Sequence, residues 1–243
     1  MHKKGFTLVE VALFLALSGA LVLIVIGGTT RSIAEKRFND TVDNFVSYLE
    51  GLYASVNYAR YSNANDNKQA VYGKLVNMVT DVNKTTFTSY TVIAQADAKR
   101  INISDALKAI SELEPKLLPQ DKEEYHLSWS GWATAQEINE QLQILLLIIR
   151  HPKNGMITTY VYYPPSNASP INIEAYIGNL NNIILKNGNE FNFKQANANF
   201  CIDSDDRWAA GNERRLVRIH SGANNASGVE LMSNQKKEGL CED

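Results

Sequence analysis

Between Phe6 and Ile26 the chain reads FTLVEVALFLALSGALVLIVI, a run of 21 residues in which Glu10 is the only ionisable side chain. As a helix it would reach about 31 Å, enough to cross the hydrocarbon core of a bilayer. Such a segment must be buried in lipid or in neighbouring chains, and whatever follows must tolerate being tethered to it. Ahead of it lies only Met1-His2-Lys3-Lys4-Gly5. That leader is too short for an ordinary secretory signal, whose small-residue cleavage site comes after the apolar region, and no A-x-A site follows Ile26. Lys3 and Lys4 before the run are matched by Arg31, Lys36 and Arg37 after it, so charge does not set its orientation.

Glu10 interrupts the apolar run. An ionisable group inside a membrane span costs on the order of 3 kcal/mol and demands a partner, and the run itself holds no basic residue. If the bond after Gly5 is cut, a new α-amino group appears on Phe6. The Glu10 carboxylate of an adjacent copy can pair with it, which turns a costly charge into an assembly signal.

The residues Lys3-Lys4-Gly5-Phe6-Thr7-Leu8-Val9-Glu10, followed by the apolar stretch, resemble the type IV prepilin family, which includes the pseudopilins of type II secretion. The resemblance spans roughly residues 1–60. It implies cleavage between Gly5 and Phe6 by a membrane aspartic peptidase, N-methylation of Phe6 and a filament role for Glu10. The chain reads as a structural, self-assembling subunit, and no cofactor or enzymatic activity is expected of it. Its partners would be copies of itself, other pilins, the prepilin peptidase and the pilus assembly machinery. The precursor would sit in the inner membrane and the product in an extracellular pilus. Many members carry a proline in the middle of the anchor helix; this chain has none, and Gly19, Gly27 and Gly28 are its only flexible points there. The competing reading is a plain signal-anchor helix tethering a soluble domain.

Beyond the anchor, Phe38, Val42, Phe45, Leu49, Leu52 and Val56 recur at steps of three and four with charged residues largely between them, so the helix continues as an amphipathic rod. Helical from Thr7 to Tyr58, it would be roughly 78 Å long. The resulting division is a leader at 1–5, a transmembrane or filament-core helix at 6–26, an amphipathic continuation at 27–60 and a globular part at 61–243. A globular part of about 180–200 residues supports one core. Residues 61–68 read as a polar turn. Strands are expected at Ala70–Val79 and Thr86–Ala94, joined by a turn at Asp81–Lys84, and again at Tyr125–Ser130. A helix capped by Ser104 is stopped by Pro115. A second helix, capped by Thr134 with Glu137 closing a capping box, is expected to run to Arg150 and to bury Leu142–Ile149 in the core. Ile157–Tyr163 reads as a strand near a sheet edge, ended by Pro164-Pro165. Ile173–Leu185 reads as a short helix. Asn197–Ile202, Leu216–His220 and Gly228–Met232 read as strands. The sum is an α+β fold: one long helix laid on an antiparallel sheet with extra helices, pilin-like in outline.

Cys201 and Cys241 are the only cysteines. A bridge between them would close a C-terminal loop in an oxidising compartment; two free buried thiols are the alternative. Many pilins resemble this arrangement in carrying a C-terminal cysteine loop. Within it, Arg207-Trp208 and then Arg214, Arg215 and Arg218 could grip phosphates while Trp208 stacks on bases, as in a minor or tip subunit binding DNA or a surface ligand. Against this, residues 201–243 carry six Lys plus Arg and eight Asp plus Glu, so a solvated, salt-bridged face is the favoured reading. The whole chain is near neutral, with 24 Lys plus Arg against 26 Asp plus Glu, which removes any general attraction to nucleic acid or anionic membrane. His2, His126, His151 and His220 lack metal-ligand spacing, and no phosphate loop or nucleophile elbow occurs. Asp203-Ser204-Asp205-Asp206 lacks the remaining positions of a calcium loop, so no metal is expected. Trp129 and Trp132 are read as core aromatics rather than a sugar site.

Overall fold

In the computed structural model, the described residues are 7–57, 69–81, 84–95, 102–128, 131–135, 143–165, 169–184, 191–204, 214–221, 223, 225–232 and 241. Helix α1, Leu8–Asn57, runs unbroken for 50 residues, about 75 Å. It contains no proline, and Gly27 and Gly28 stay helical. The hydroxyls of Thr29 and Thr30 donate to the carbonyls of Val25, Ile26 and Gly27 one turn back. Polar groups at the end of the apolar half are thereby satisfied within the helix itself.

A five-stranded antiparallel sheet has the order β3-β2-β1-β5-β6, built from β1 Gln69–Asp81, β2 Lys84–Gln95, β3 Lys116–His126, β5 Gln143–Arg150 and β6 Ile157–Tyr162. A second sheet, β4-β7-β8-β9, comprises β4 Gly131–Ala135, β7 Ala198–Ser204, β8 Arg215–Ile219 and β9 Val229–Leu231. Phe45, Leu49 and Tyr53 of α1 meet Val76, Phe87, Leu146 and Ile148 of the first sheet and Phe200, Ile202 and Val217 of the second in one apolar core. On the far face of the first sheet, Leu75, Val92, Leu145, Leu147 and Ile149 pack with the short helices α2, Ala106–Ser111, and α3, Asn181–Ile184, and with Phe191 and Phe193. The expected α+β class holds, with two sheets where one was expected.

The largest departure concerns Leu142–Ile149. The expected helix from Thr134 to Arg150 is instead two strands where it is described, β4 holding Thr134 and β5 holding Gln143–Arg150, while Glu137 and Leu142 lie outside the described residues. In β5 the side chains of Ile144, Leu146 and Ile148 face α1, and those of Leu145, Leu147 and Ile149 face α2 and α3. A central strand covered on both faces shows no alternation, so its period is hidden and its short length is the better guide. Gly73 of β1 lies against this strand so closely that a Cβ there would run into the Ile148 carbonyl oxygen.

Of the strand expected at Tyr125–Ser130 only Tyr125 and His126 are strand, as the end of a longer one, β3. Leu127 and Ser128 lie past its end, and Trp129 and Ser130 lie outside the described residues. The first part of β3 escapes a hydrophobicity reading because it is an edge strand bearing Pro119, Asp121, Lys122, Glu123 and Glu124, residues that discourage edge-to-edge pairing. Leu118 pairs with Thr91 and Glu123 with Ser89, so Pro119–Lys122 bulge out of the ladder. Helix α2 is capped by Asp105, whose side chain accepts from the Lys108 N–H at 2.9 Å, and not by Ser104. The helix expected at Ile173–Leu185 divides into a 3-10 turn at Ile173–Tyr176 and α3, and Leu185 lies outside the described residues. The remaining expected strands correspond to β1, β2, β6, β7, β8 and β9, within a residue or two at their ends.

Candidate functional site

Two regions were marked by the sequence, the apolar helix with Glu10 and the cysteine loop. On α1 the change of character is abrupt: Ile33 is 49 % exposed, whereas Ala34 and Phe38 are each 4 % exposed. From Leu8 to Ile26 every large apolar side chain is between 48 and 86 % exposed. Burying a side chain of this kind is worth about 1.5–3 kcal/mol, so the thirteen large apolar side chains of that stretch represent roughly 20–40 kcal/mol of unmet burial. That exceeds the whole stability of an ordinary domain, about 5–15 kcal/mol. The half of α1 ahead of Ala34 therefore has its solvent elsewhere, and it is long and apolar enough to be a membrane anchor. Leu23, Ile26, Gly27, Thr30, Ile33, Ala34 and Arg37 line an open groove of about 480 Å³ along one face of α1, where the bare half meets the domain.

Gly5 and Phe6 lie outside the described residues, but Glu10 does not. It stands in the first turn of α1. The Thr7 N–H donates to Glu10 Oε2 at 2.8 Å, and the Thr7 hydroxyl donates to the same oxygen at 2.9 Å. In return the Glu10 N–H donates to Thr7 Oγ1 at 3.3 Å. This is a reciprocal capping box in which Thr7 is the N-cap and Glu10 the third helical residue. Sequence reasoning treated Glu10 as a charge with no partner near it and missed Thr7; the T-x-x-E spacing at the head of an apolar run was the available signal.

Cys201 and Cys241 are joined in a disulfide that spans 40 residues of sequence, with Cα atoms 5.7 Å apart. Cys201 lies in β7, paired with Thr134 of β4 and Leu216 of β8. It faces away from the main core, where it packs with Leu216, Met232 and Cys241. The bridge thus ties Cys241 to the outer face of the second sheet. Such a bond persists in an oxidising compartment.

The described basic residues of this loop are engaged. Arg214 donates through Nε to Asp203 Oδ2 at 2.8 Å and reaches the Cys241 carbonyl at 3.4 Å. Arg218 Nε donates to Asn199 Oδ1 at 2.9 Å, and Arg215 also has a partner. His220 Nε2 meets Glu230 Oε2 at 2.9 Å. Arg207 and Trp208 lie outside the described residues, as do Asp205 and Asp206. The side chains on this face satisfy one another, and the arrangement offers phosphate no ready-made cradle among the described residues.

The other candidate residues are accounted for locally. His126 Nδ1 is 3.1 Å from Thr86 Oγ1. Buried His151 bonds to the Ile103 carbonyl at 2.7 Å through Nε2, while its Nδ1 accepts from the Lys153 and Asn154 N–H groups, which shapes the β5–β6 turn. Trp132 falls in β4, and Trp129 and His2 lie outside the described residues. Among the described residues no cluster of three His, Cys, Asp or Glu side chains stands ready to hold a metal ion. Comparison with protein-family models, with curated proteins and with solved structures gives no match.

Proposed function

We propose that this chain is a structural subunit of a type IV pilus or related pilin-like filament, processed between Gly5 and Phe6 and assembled through the apolar half of α1. The observation that carries the reading is the division of one continuous helix at Ala34 into a half buried in its own domain and a half whose large apolar side chains are exposed. A plain anchor needs only a membrane-spanning segment; the prepilin-like motif and Glu10 add a processing site and an assembly contact. In this reading the anchor half lies in the inner membrane in the precursor and among neighbouring copies in the filament. The disulfide fits a domain that works outside the reducing cytoplasm.

The step from precursor to subunit makes Gly5 its first test. Glycine is the residue before the proposed cut, and a bulky side chain there should block it. Expressed in its own cell, the unmodified chain is expected to lose its first five residues, Met1 to Gly5, while Gly5→Leu stays at full length in the membrane fraction. An unmodified chain that also keeps Met1 to Gly5 would refute processing at this bond.

A further inference from the structure

We propose that Thr7 is a positioning residue for Glu10, holding the carboxylate so that one oxygen caps its own helix and the other faces a neighbouring copy. The proposal rests on the assembly reading above. Both Thr7 donors, the N–H and the hydroxyl, converge on Oε2 at 2.8 and 2.9 Å. Oε1 takes no partner among the described residues. A glutamate free to turn about its side-chain bonds would present its charge in many directions. Here two hydrogen bonds from one residue, together with the return bond from the Glu10 N–H to Thr7 Oγ1, restrict it to one. The Thr7 hydroxyl is the only group in this set that both donates to the carboxylate and accepts from the backbone, so it couples the start of the helix to the orientation of the charge. The α-amino group of a processed neighbour would then meet an oxygen already aimed and not engaged in capping.

Capping and aiming are separable by chemistry. Thr7→Ser keeps both roles. Thr7→Val keeps shape and the backbone N–H bond to Oε2 but loses the hydroxyl, which weakens both roles. Thr7→Asp is a strong N-cap but has no hydroxyl to give and repels the carboxylate. Glu10→Gln keeps the capping box, because glutamine closes it as well as glutamate, and removes the charge.

The experiment measures each full-length variant in its own cell, taking the amount in sheared filaments relative to the processed pool. Thr7→Ser is expected at the unmodified level, and Thr7→Val about fivefold lower, the usual net worth of one hydrogen bond, here the hydroxyl's bond to the carboxylate. Thr7→Asp should be no better than Thr7→Val, and Thr7→Val combined with Glu10→Gln no worse than Glu10→Gln alone, since Thr7 acts through the charge. Unmodified incorporation of Thr7→Val, recovery by Thr7→Asp, or an additive loss in the double variant would overturn the positioning role. Unmodified incorporation of Glu10→Gln would instead remove the charge pairing on which the proposal rests, whatever Thr7 does.

Discussion

Leu49 and Leu23 occupy one helix and share one chemistry, yet the structure gives them opposite consequences. Leu49 is wholly buried in the core formed by α1 and the two sheets, while Leu23 is 73 % exposed on the bare half. Truncating a buried leucine to alanine costs about 2–5 kcal/mol, made up of lost transfer energy and an unfilled cavity. Phe45, Val76, Leu146 and Ile148 are each 3 % exposed or less, so such a core has little freedom to collapse around the gap. At roughly 2–4 °C of melting temperature per kcal/mol for a domain of this size, Leu49→Ala should melt about 6–12 °C early for a mid-range loss of 3 kcal/mol. Leu23→Ala should leave the domain transition within about 0.5 kcal/mol of the unmodified chain, while lowering its yield in filaments. The assay is thermal and urea unfolding of the full chain in mild detergent, followed by near-ultraviolet circular dichroism of its aromatic residues. A loss below about 1 kcal/mol for Leu49→Ala, or an equal loss for the two variants, would refute the division of the helix.

Cys201→Ser should cost about 4 kcal/mol, the chain-entropy value for a loop of 40 residues, and adding reductant to the unmodified chain should reproduce it. An unfolding midpoint indifferent to reductant would contradict a stabilising bridge. Burial pushes the Tyr53 hydroxyl up to about 12, against its hydrogen bond with Thr159. The folded state therefore holds this proton more tightly than the unfolded state. The stabilisation is complete below about pH 10 and is lost as pH rises toward 12, a difference of about 3 kcal/mol for two pH units. Tyr53→Phe should be less stable at pH 8 by about 1–3 kcal/mol, because it strands the buried Thr159 hydroxyl. Its stability should fall less steeply than that of the unmodified chain between pH 10 and 12, and parallel pH profiles would contradict this account.

The long helix was legible because its two patterns, an unbroken apolar run and then a clean three-and-four spacing from Phe38 to Val56, are each strong and local. The hairpin β1–β2 was legible from alternating β-formers around a polar turn. β5 was not, because QILLLIIR is buried on both faces and its alternation is invisible without knowing that α1 and α2 cover opposite sides. β3 was legible only in part, because an edge strand that guards itself with charge looks like a loop. At the site, Glu10 and the cysteines announced themselves as rare residue types in telling places. Thr7 did not, because a threonine gains meaning here only through the geometry of its bonds to Glu10. The arginines gave an ambiguous signal that partners distant in sequence resolve: Arg214 finds Asp203, and Arg218 finds Asn199.

The central claim is that the bare half of α1 is a filament core exposed to assembly by cleavage after Gly5. Intact mass and N-terminal sequencing of this chain, recovered from filaments sheared off the cell surface, test it most directly. The account predicts a product that begins at methylated Phe6 and is present in the filament fraction. A chain found only in membranes and still beginning at Met1 would contradict it, leaving an anchored envelope protein in its place.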